Sequence, residues 1–312
     1  MAYGRIMSIQ FSEQNEEVRI VLLGKTGAGK SASGNSILGR KAFESKMSSD
    51  SVTSICEKKR GMVGGQHVAV IDTHGLFDTK LTQEEAVKEI SQCLLFSSPG
   101  PHVFLVVIRL ERFTKEEQET VELIQKLFGV EASKYTMVLF THGDLLDDDE
   151  TIEDFLHGNL ELESFIAKCK GGFHVFKNRD QNPSQVTELL EKINKMVKVN
   201  GGSHYTTEMF QKAERAIEEE KERILKENEE QRRREMEEIK AKFEGERLRE
   251  EEEKLRRKQE SEAREKAENT HRLRKGAAIG AIVGVYGGPF GMAFGAALGT
   301  TVAAVVNACR SQ

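Results

Sequence analysis

From residue 18 onward, short unbroken apolar runs alternate with longer stretches whose apolar residues recur every three or four positions. VRIVLL at 18–23, HVAVID at 67–72, HVFLVVIRL at 102–110 and YTMVLFT at 135–141 read as buried strands, and FHVFKN at 173–178 as the last of them. Helical patterns lie between. SASGNSIL at 31–38 opens straight from a Gly-rich turn. Thr114 and Glu117 form a T-x-x-E capping box ahead of Val121, Leu123, Ile124 and Leu127, and the pattern over 185–197 stops at Asn200-Gly201-Gly202. Strand, turn and amphipathic helix repeated in this way predict a mostly parallel sheet covered by helices, an α/β fold.

The rhythm changes near residue 205. Between 208 and 275 the chain carries 22 Glu, 21 Lys or Arg and no Pro, with many Glu and Arg pairs four apart, such as Glu219 with Arg223 and Glu253 with Arg257. Each such pair stabilises a helix by about 0.2–0.5 kcal/mol, so many together can hold a solvated one. Apolar residues recur at Phe210, Ile217 and Ile224, then Met236, Ile239 and Phe243, then Leu248 and Leu255. That is sparse for a heptad seam, and the pattern predicts a single charged helix or a weak coiled coil. From 276 to 308 there is no charge at all, and glycines recur at a spacing of four, from Gly276 to Gly288 and from Gly287 to Gly299. The run exceeds the roughly 20 residues that span a bilayer. Basic flanks at Arg272, Arg274, Lys275 and Arg310 favour a membrane anchor, and Pro289 after Gly287-Gly288 leaves room for a hairpin of two short arms. The expected organisation is a polar tail over 1–17, a nucleotide domain over 18–204, a charged helical or coiled-coil-like extension over 205–275, and a membrane anchor or hairpin over 276–308.

Composition narrows the function. The net charge of −5 offers no electrostatic footing for nucleic acid. Cys56, Cys93, Cys169 and Cys309 are scattered without a C-x-x-C pair, which argues against a disulfide framework or zinc site and for a reducing compartment. The first seventeen residues have no apolar core of the kind a secretory signal needs, so a cytosolic protein is expected. Cys309 stands four from the end, but Arg310 and Ser311 suit a prenylation box poorly.

Three motifs carry chemistry. GKTGAGKS at 24–31 fits G-x-x-x-x-G-K-[ST] with a strand before it and a helix after it. Gly24, Lys25, Thr26, Gly27, Ala28, Gly29, Lys30, Ser31 and Ala32 are thus the candidate phosphate cradle, with Lys30 reaching the β- and γ-phosphates and the Ser31 hydroxyl on Mg²⁺. DTHG at 72–75 ends a buried strand: Asp72 would hold Mg²⁺ and the Gly75 N–H would face the γ-phosphate. THGD at 141–144 follows another strand and brings His142 and Asp144 to the base. A carboxylate there accepts from N1–H and the exocyclic amine of guanine, whereas adenine offers an acceptor and no amine. Asn178 is a candidate to close over the base. In SSDSVTSIC, Thr53 is preferred to Ser51 and Ser54 as the hydroxyl that meets the γ-phosphate and its metal, with a plain surface hydroxyl as the alternative.

These pieces, together with PGPHVFLVVIRLERFTKEEQ at 99–118, resemble the immunity-associated GTPases, the GIMAP or AIG-type family, over residues 19–199. The resemblance is carried by GKTGAGKSASGNSILG, by Ser51 to Cys56, by the box from Arg109 to Thr114, and by THGD in place of N/T-K-x-D. It implies a Ras-like P-loop GTPase domain with a six-stranded, mostly parallel sheet and helices on both faces. It also implies bound GTP or GDP with Mg²⁺, GTP-dependent homodimers or oligomers across the nucleotide face, and a C-terminal anchor in an intracellular membrane. One departure is His74, where the family usually has Pro. Leu76 and Phe77 follow Gly75, so no Gln is there to orient water, and slow hydrolysis by the monomer is expected. The resemblance points to Arg112 as a finger donated across a dimer, acting with Lys30; a GTP-loaded membrane scaffold with negligible hydrolysis is the alternative. An ATP-dependent kinase of small molecules is disfavoured by Asp144.

Overall fold

The computed structural model describes residues 17–44, 56–73, 89, 92–110, 124–125, 128–146, 151–157, 159–177 and 182–270. Among these, β1 (Val18–Leu23) buries every one of its side chains, as a strand in the middle of a sheet must. It is flanked by β3 (Gln66–Asp72) on one side and β4 (Val103–Arg109) on the other, both parallel to it. β5 (Thr136–Thr141) and the short β6 (Phe173–Val175) continue in parallel beyond β4. β2 (Glu57–Val63) closes the far edge antiparallel to β3, and the order is β2-β3-β1-β4-β5-β6. This is the six-stranded, mostly parallel sheet of a Ras-like domain.

Both faces are covered. Ile20, Leu22, Val70, Leu105 and Leu139 pack with α1 (Lys30–Leu38) and α4 (Ser184–Val199). α4 buries Val186, Leu189, Leu190, Ile193 and Met196, the three-and-four spacing of one helical face. On the other face Phe104 stacks on Phe128 at 4.9 Å between ring centroids, and the Tyr205 hydroxyl donates to the Phe128 carbonyl. The short helices α2 (Ile152–His157) and α3 (Leu160–Lys168) lie between β5 and β6.

β2 escapes a reading based on apolar runs because its EKKRGMV is half exposed and charged, as suits an edge. The available signal was Gly64-Gly65: both have positive φ, 57° and 81°, and they form the two-residue reversal that sets β2 against β3. The last strand is shorter than its sequence pattern, ending at Val175. The capping box at Thr114 lies outside the described residues.

The chain divides into two compact units between Thr207 and Glu208. In the second unit the charged segment is not one helix. It is three: α5 (Glu208–Glu227), α6 (Glu229–Lys242) and α7 (Gly245–Asn269). Asn228 interrupts the first pair, and Phe243 and Glu244 leave the helix before Gly245 reverses the chain at φ 62°. Lys240 meets Glu252, Arg232 and Glu235 meet Gln259, and Glu214 and Glu218 meet Arg264, so α7 runs back antiparallel along α6 and α5. The large apolar residues were too few to announce this. On α5 the recurring Phe210, Ile217 and Ile224 are buried, whereas on α7 the buried positions are small or polar: Gln259, Ala263, Ala267 and Glu268. Among the described residues no helix is long and apolar enough to cross a membrane; the run 276–308 lies outside them.

Candidate functional site

The carboxyl ends of β1, β3 and β5 carry the three motifs on one rim of the sheet, where ligands of open α/β sheets bind. β1 ends at Leu23 and the chain turns through Gly24 before α1 begins at Lys30. Gly24 has φ 142°, and a Cβ there would meet the Val107 carbonyl oxygen of β4 at 2.5 Å. Only glycine lets the loop pass that close. Gly29, at φ 97°, forms the left-handed N-cap of α1 with no side-chain cap, so backbone N–H groups rather than a capping hydroxyl face the loop. Thr26 and Gly27 are exposed at the tip, whereas Ala28 is buried and Lys25, Ser31 and Ala32 are partly so. The buried Lys30 ammonium donates to the carbonyls of Gly24 at 2.9 Å and Lys25 at 2.8 Å, which holds it over the loop.

Ser31 Oγ donates to Asp72 Oδ2 at 2.6 Å, joining two residues 41 apart in sequence that the motifs assign to one metal ion. Asp72 is wholly buried, and its Oδ1 has no hydrogen-bond partner among the described residues. A buried carboxylate oxygen left open beside a hydroxyl suits a hard cation with oxygen ligands such as Mg²⁺. Burial raises the Asp72 pKa, and the Ser31 hydrogen bond and the Lys30 charge offset this only in part. An acid whose folded pKa is raised costs stability above that pKa and recovers it on protonation. Asp72→Asn should therefore raise the melting temperature of nucleotide-free protein at neutral pH, by about 2–4 °C for each kcal/mol relieved. A calorimetric scan in chelator checks this, and a lowered midpoint would refute it.

Two threonines missed by the motif reading complete the rim. The Thr73 hydroxyl donates to the Leu22 carbonyl at 2.7 Å. The Thr141 hydroxyl donates to the Ala28 carbonyl at 2.8 Å, tying the end of β5 to the glycine loop. With that proton committed, His142 Nδ1, 3.1 Å from Thr141 Oγ1, is the donor of their contact. His142 is the one non-glycine residue with positive φ among the described residues, 60°, and it turns the chain into the 3₁₀ helix Gly143–Leu145. Gly143 N–H donates to the Phe176 carbonyl at 3.1 Å, and Asp144 presents its side chain to solvent. Thr141 ends β5 and Thr73 directly follows β3, and that position was the one sequence signal for them. Thr53, Gly75, Arg112 and Asn178 lie outside the described residues.

The sequence profile of the AIG1 family matches residues 18–228. GTPase IMAP family member 8 from Homo sapiens is 38% identical over 196 residues, which cover 62% of this chain and 29% of that protein. Immune-associated nucleotide-binding protein 9 from Arabidopsis thaliana is 38% identical over 207 residues, 64% of this chain and 60% of that one. Its namesake, protein 8 of the same plant, is 38% identical over 221 residues, 68% and 62%. The chain thus spans less than two thirds of each of these relatives. Among solved structures, Toc33 from Arabidopsis thaliana in complex with GDP and Mg²⁺ is similar at 20% identity with a TM-score of 0.47, covering 60% of this chain and 88% of that one.

Proposed function

The chain belongs to the AIG1 family, and we propose that it is a guanine-nucleotide-binding protein that hydrolyses GTP slowly alone and faster as a homodimer on a membrane. The observation that carries the nucleotide reading is the Ser31–Asp72 contact, 2.6 Å long, at the mouth of a glycine loop held by Lys30. Ser31, Asp72 and, from the sequence, Thr53 would hold Mg²⁺, which when bound neutralises charge on the phosphates. The backbone N–H groups from Gly27 to Ser31 and the Lys30 ammonium bind and orient the phosphates. Asp144 selects guanine.

Hydrolysis needs a group that the motif after Asp72 does not supply, since Leu76 and Phe77 follow Gly75. Arg112, close behind β4 in the chain, is the residue for that role, delivered from a second copy across the nucleotide face. The same lack of a water-orienting Gln also favours a second reading, a GTP-loaded scaffold on the cytosolic side of an intracellular membrane with negligible turnover. The uncharged run 276–308 is the proposed anchor in either case.

One experiment separates them: single-turnover GTP hydrolysis against protein concentration, with and without lipid vesicles. The rate per molecule should rise with concentration, and Arg112→Ala should flatten the rise while GTP affinity stays within about twofold, as expected of a group that acts only in the transition state. Removing 276–312 should abolish pelleting with vesicles and leave nucleotide binding intact. A flat rate, equal in wild type and Arg112→Ala, would sink the dimer finger and leave the scaffold.

A further inference from the structure

We propose that Thr73 is a positioning residue that holds Asp72 at the metal-binding edge of the glycine loop, a role that rests on the nucleotide reading above. Asp72 and Thr73 are consecutive, both wholly buried, and reach opposite ends of the same loop. Asp72 takes the Ser31 hydroxyl at 2.6 Å, at the start of α1, and Thr73 gives its hydroxyl to the Leu22 carbonyl at 2.7 Å, at the end of β1. The loop between Leu22 and Ser31 is therefore clamped at both ends by two neighbouring side chains.

The pairing of β1 with β3 explains why a clamp is needed. Its last register pair is Leu22 with Asp72, so the ladder stops at the residue whose carboxylate must be aimed. Thr73 replaces the missing rung with a side-chain bond. The two ties also differ in how they stand to a cation. Ser31 Oγ can give a lone pair to the ion while its proton stays on Asp72 Oδ2, so their mutual bond is part of the metal site itself. The Thr73 bond involves neither metal ligand. Removing it should weaken the hold on Mg²⁺ through Asp72 and leave the loop's own grip on the phosphates alone.

The test uses the full chain loaded with N-methylanthraniloyl-GDP, chased with unlabelled GDP over a range of free Mg²⁺. Thr73→Val keeps the shape and removes the hydroxyl; Thr73→Ala removes it without added bulk; Thr73→Ser restores it. Outer-shell partners of metal ligands typically change metal affinity by about 10–100-fold. Thr73→Val and Thr73→Ala should accordingly raise the Mg²⁺ concentration for half-maximal retention at least about tenfold. Release in EDTA should stay within about twofold of wild type, and Thr73→Ser should match wild type throughout. An unmoved Mg²⁺ midpoint, or release accelerated equally with and without Mg²⁺, would overturn the role and leave the nucleotide reading intact. Wild-type protein that retains no GDP at any Mg²⁺ concentration would overturn both.

Discussion

In a competition titration, Asp144→Asn should lose GTP affinity by at least about 100-fold and gain affinity for xanthosine triphosphate. In the proposed reading two hydrogen bonds from guanine would end on this carboxylate, and bonds to a charged group are worth about 1.5–3 kcal/mol each, with every 1.4 kcal/mol a factor of ten. The lower end applies because Asp144 is solvent-exposed at its position. The amide of Asn can donate where xanthine carries a carbonyl in place of the amine. Orientation is built in beneath it. His142 sits left-handed, Gly143 N–H is bonded to the Phe176 carbonyl, and a Cβ on Gly143 would meet Val175 Cγ1 at 2.6 Å. Because the side chain is exposed, the melting temperature of free protein should not move. Unchanged GTP affinity would remove Asp144 from base selection.

Arg264→Ala should free α7 from α5, with amide exchange along α7 about 100-fold faster. Arg264 gives Nη2 to Glu214 at 2.7 Å, Nη1 to Glu218 at 3.0 Å and Nε to Glu268 at 3.2 Å. Glu268 is only 1% exposed, so truncating the guanidinium takes a charged donor from a buried carboxylate beside two others. Breaking a buried pair from one side costs about 3–5 kcal/mol, and the lower figure suits a cluster that water partly reaches. Arg264→Lys should recover only part of this, since a point charge cannot fork to three carboxylates. Exchange at the wild-type rate in Arg264→Ala would show that the other contacts between the helices hold them without it.

The glycine loop and the central strands were legible because their chemistry is local. A strand buried on both faces must be apolar throughout, and a chain curling around phosphate needs Gly24, Gly27 and Gly29. What stayed hidden depends on partners distant in sequence. β2 is the exception, hidden by its charged edge-strand composition although β3 follows it directly. Thr73 and Thr141 look like ordinary strand ends until Leu22 and Ala28 are found within reach of their hydroxyls. On α7 the fold-back is marked by small and polar buried residues and by Arg264, whose partners Glu214 and Glu218 lie 50 and 46 positions earlier. The buried Phe210, Ile217 and Ile224 give α5 an apolar period, but the buried positions of α7 carry none.

The antiparallel course of α7 also sets how far the second unit can carry the residues beyond 270. A single helix over residues 208–269 would extend about 90 Å at 1.5 Å per residue. Folded back, it brings Arg264 level with Glu214 and Glu218, near the beginning of α5. The chain therefore leaves this unit at the end by which it entered. Any segment beyond residue 270 thus sets out from the same end of this unit as α5 does, and the length of the helices adds nothing to its reach from there.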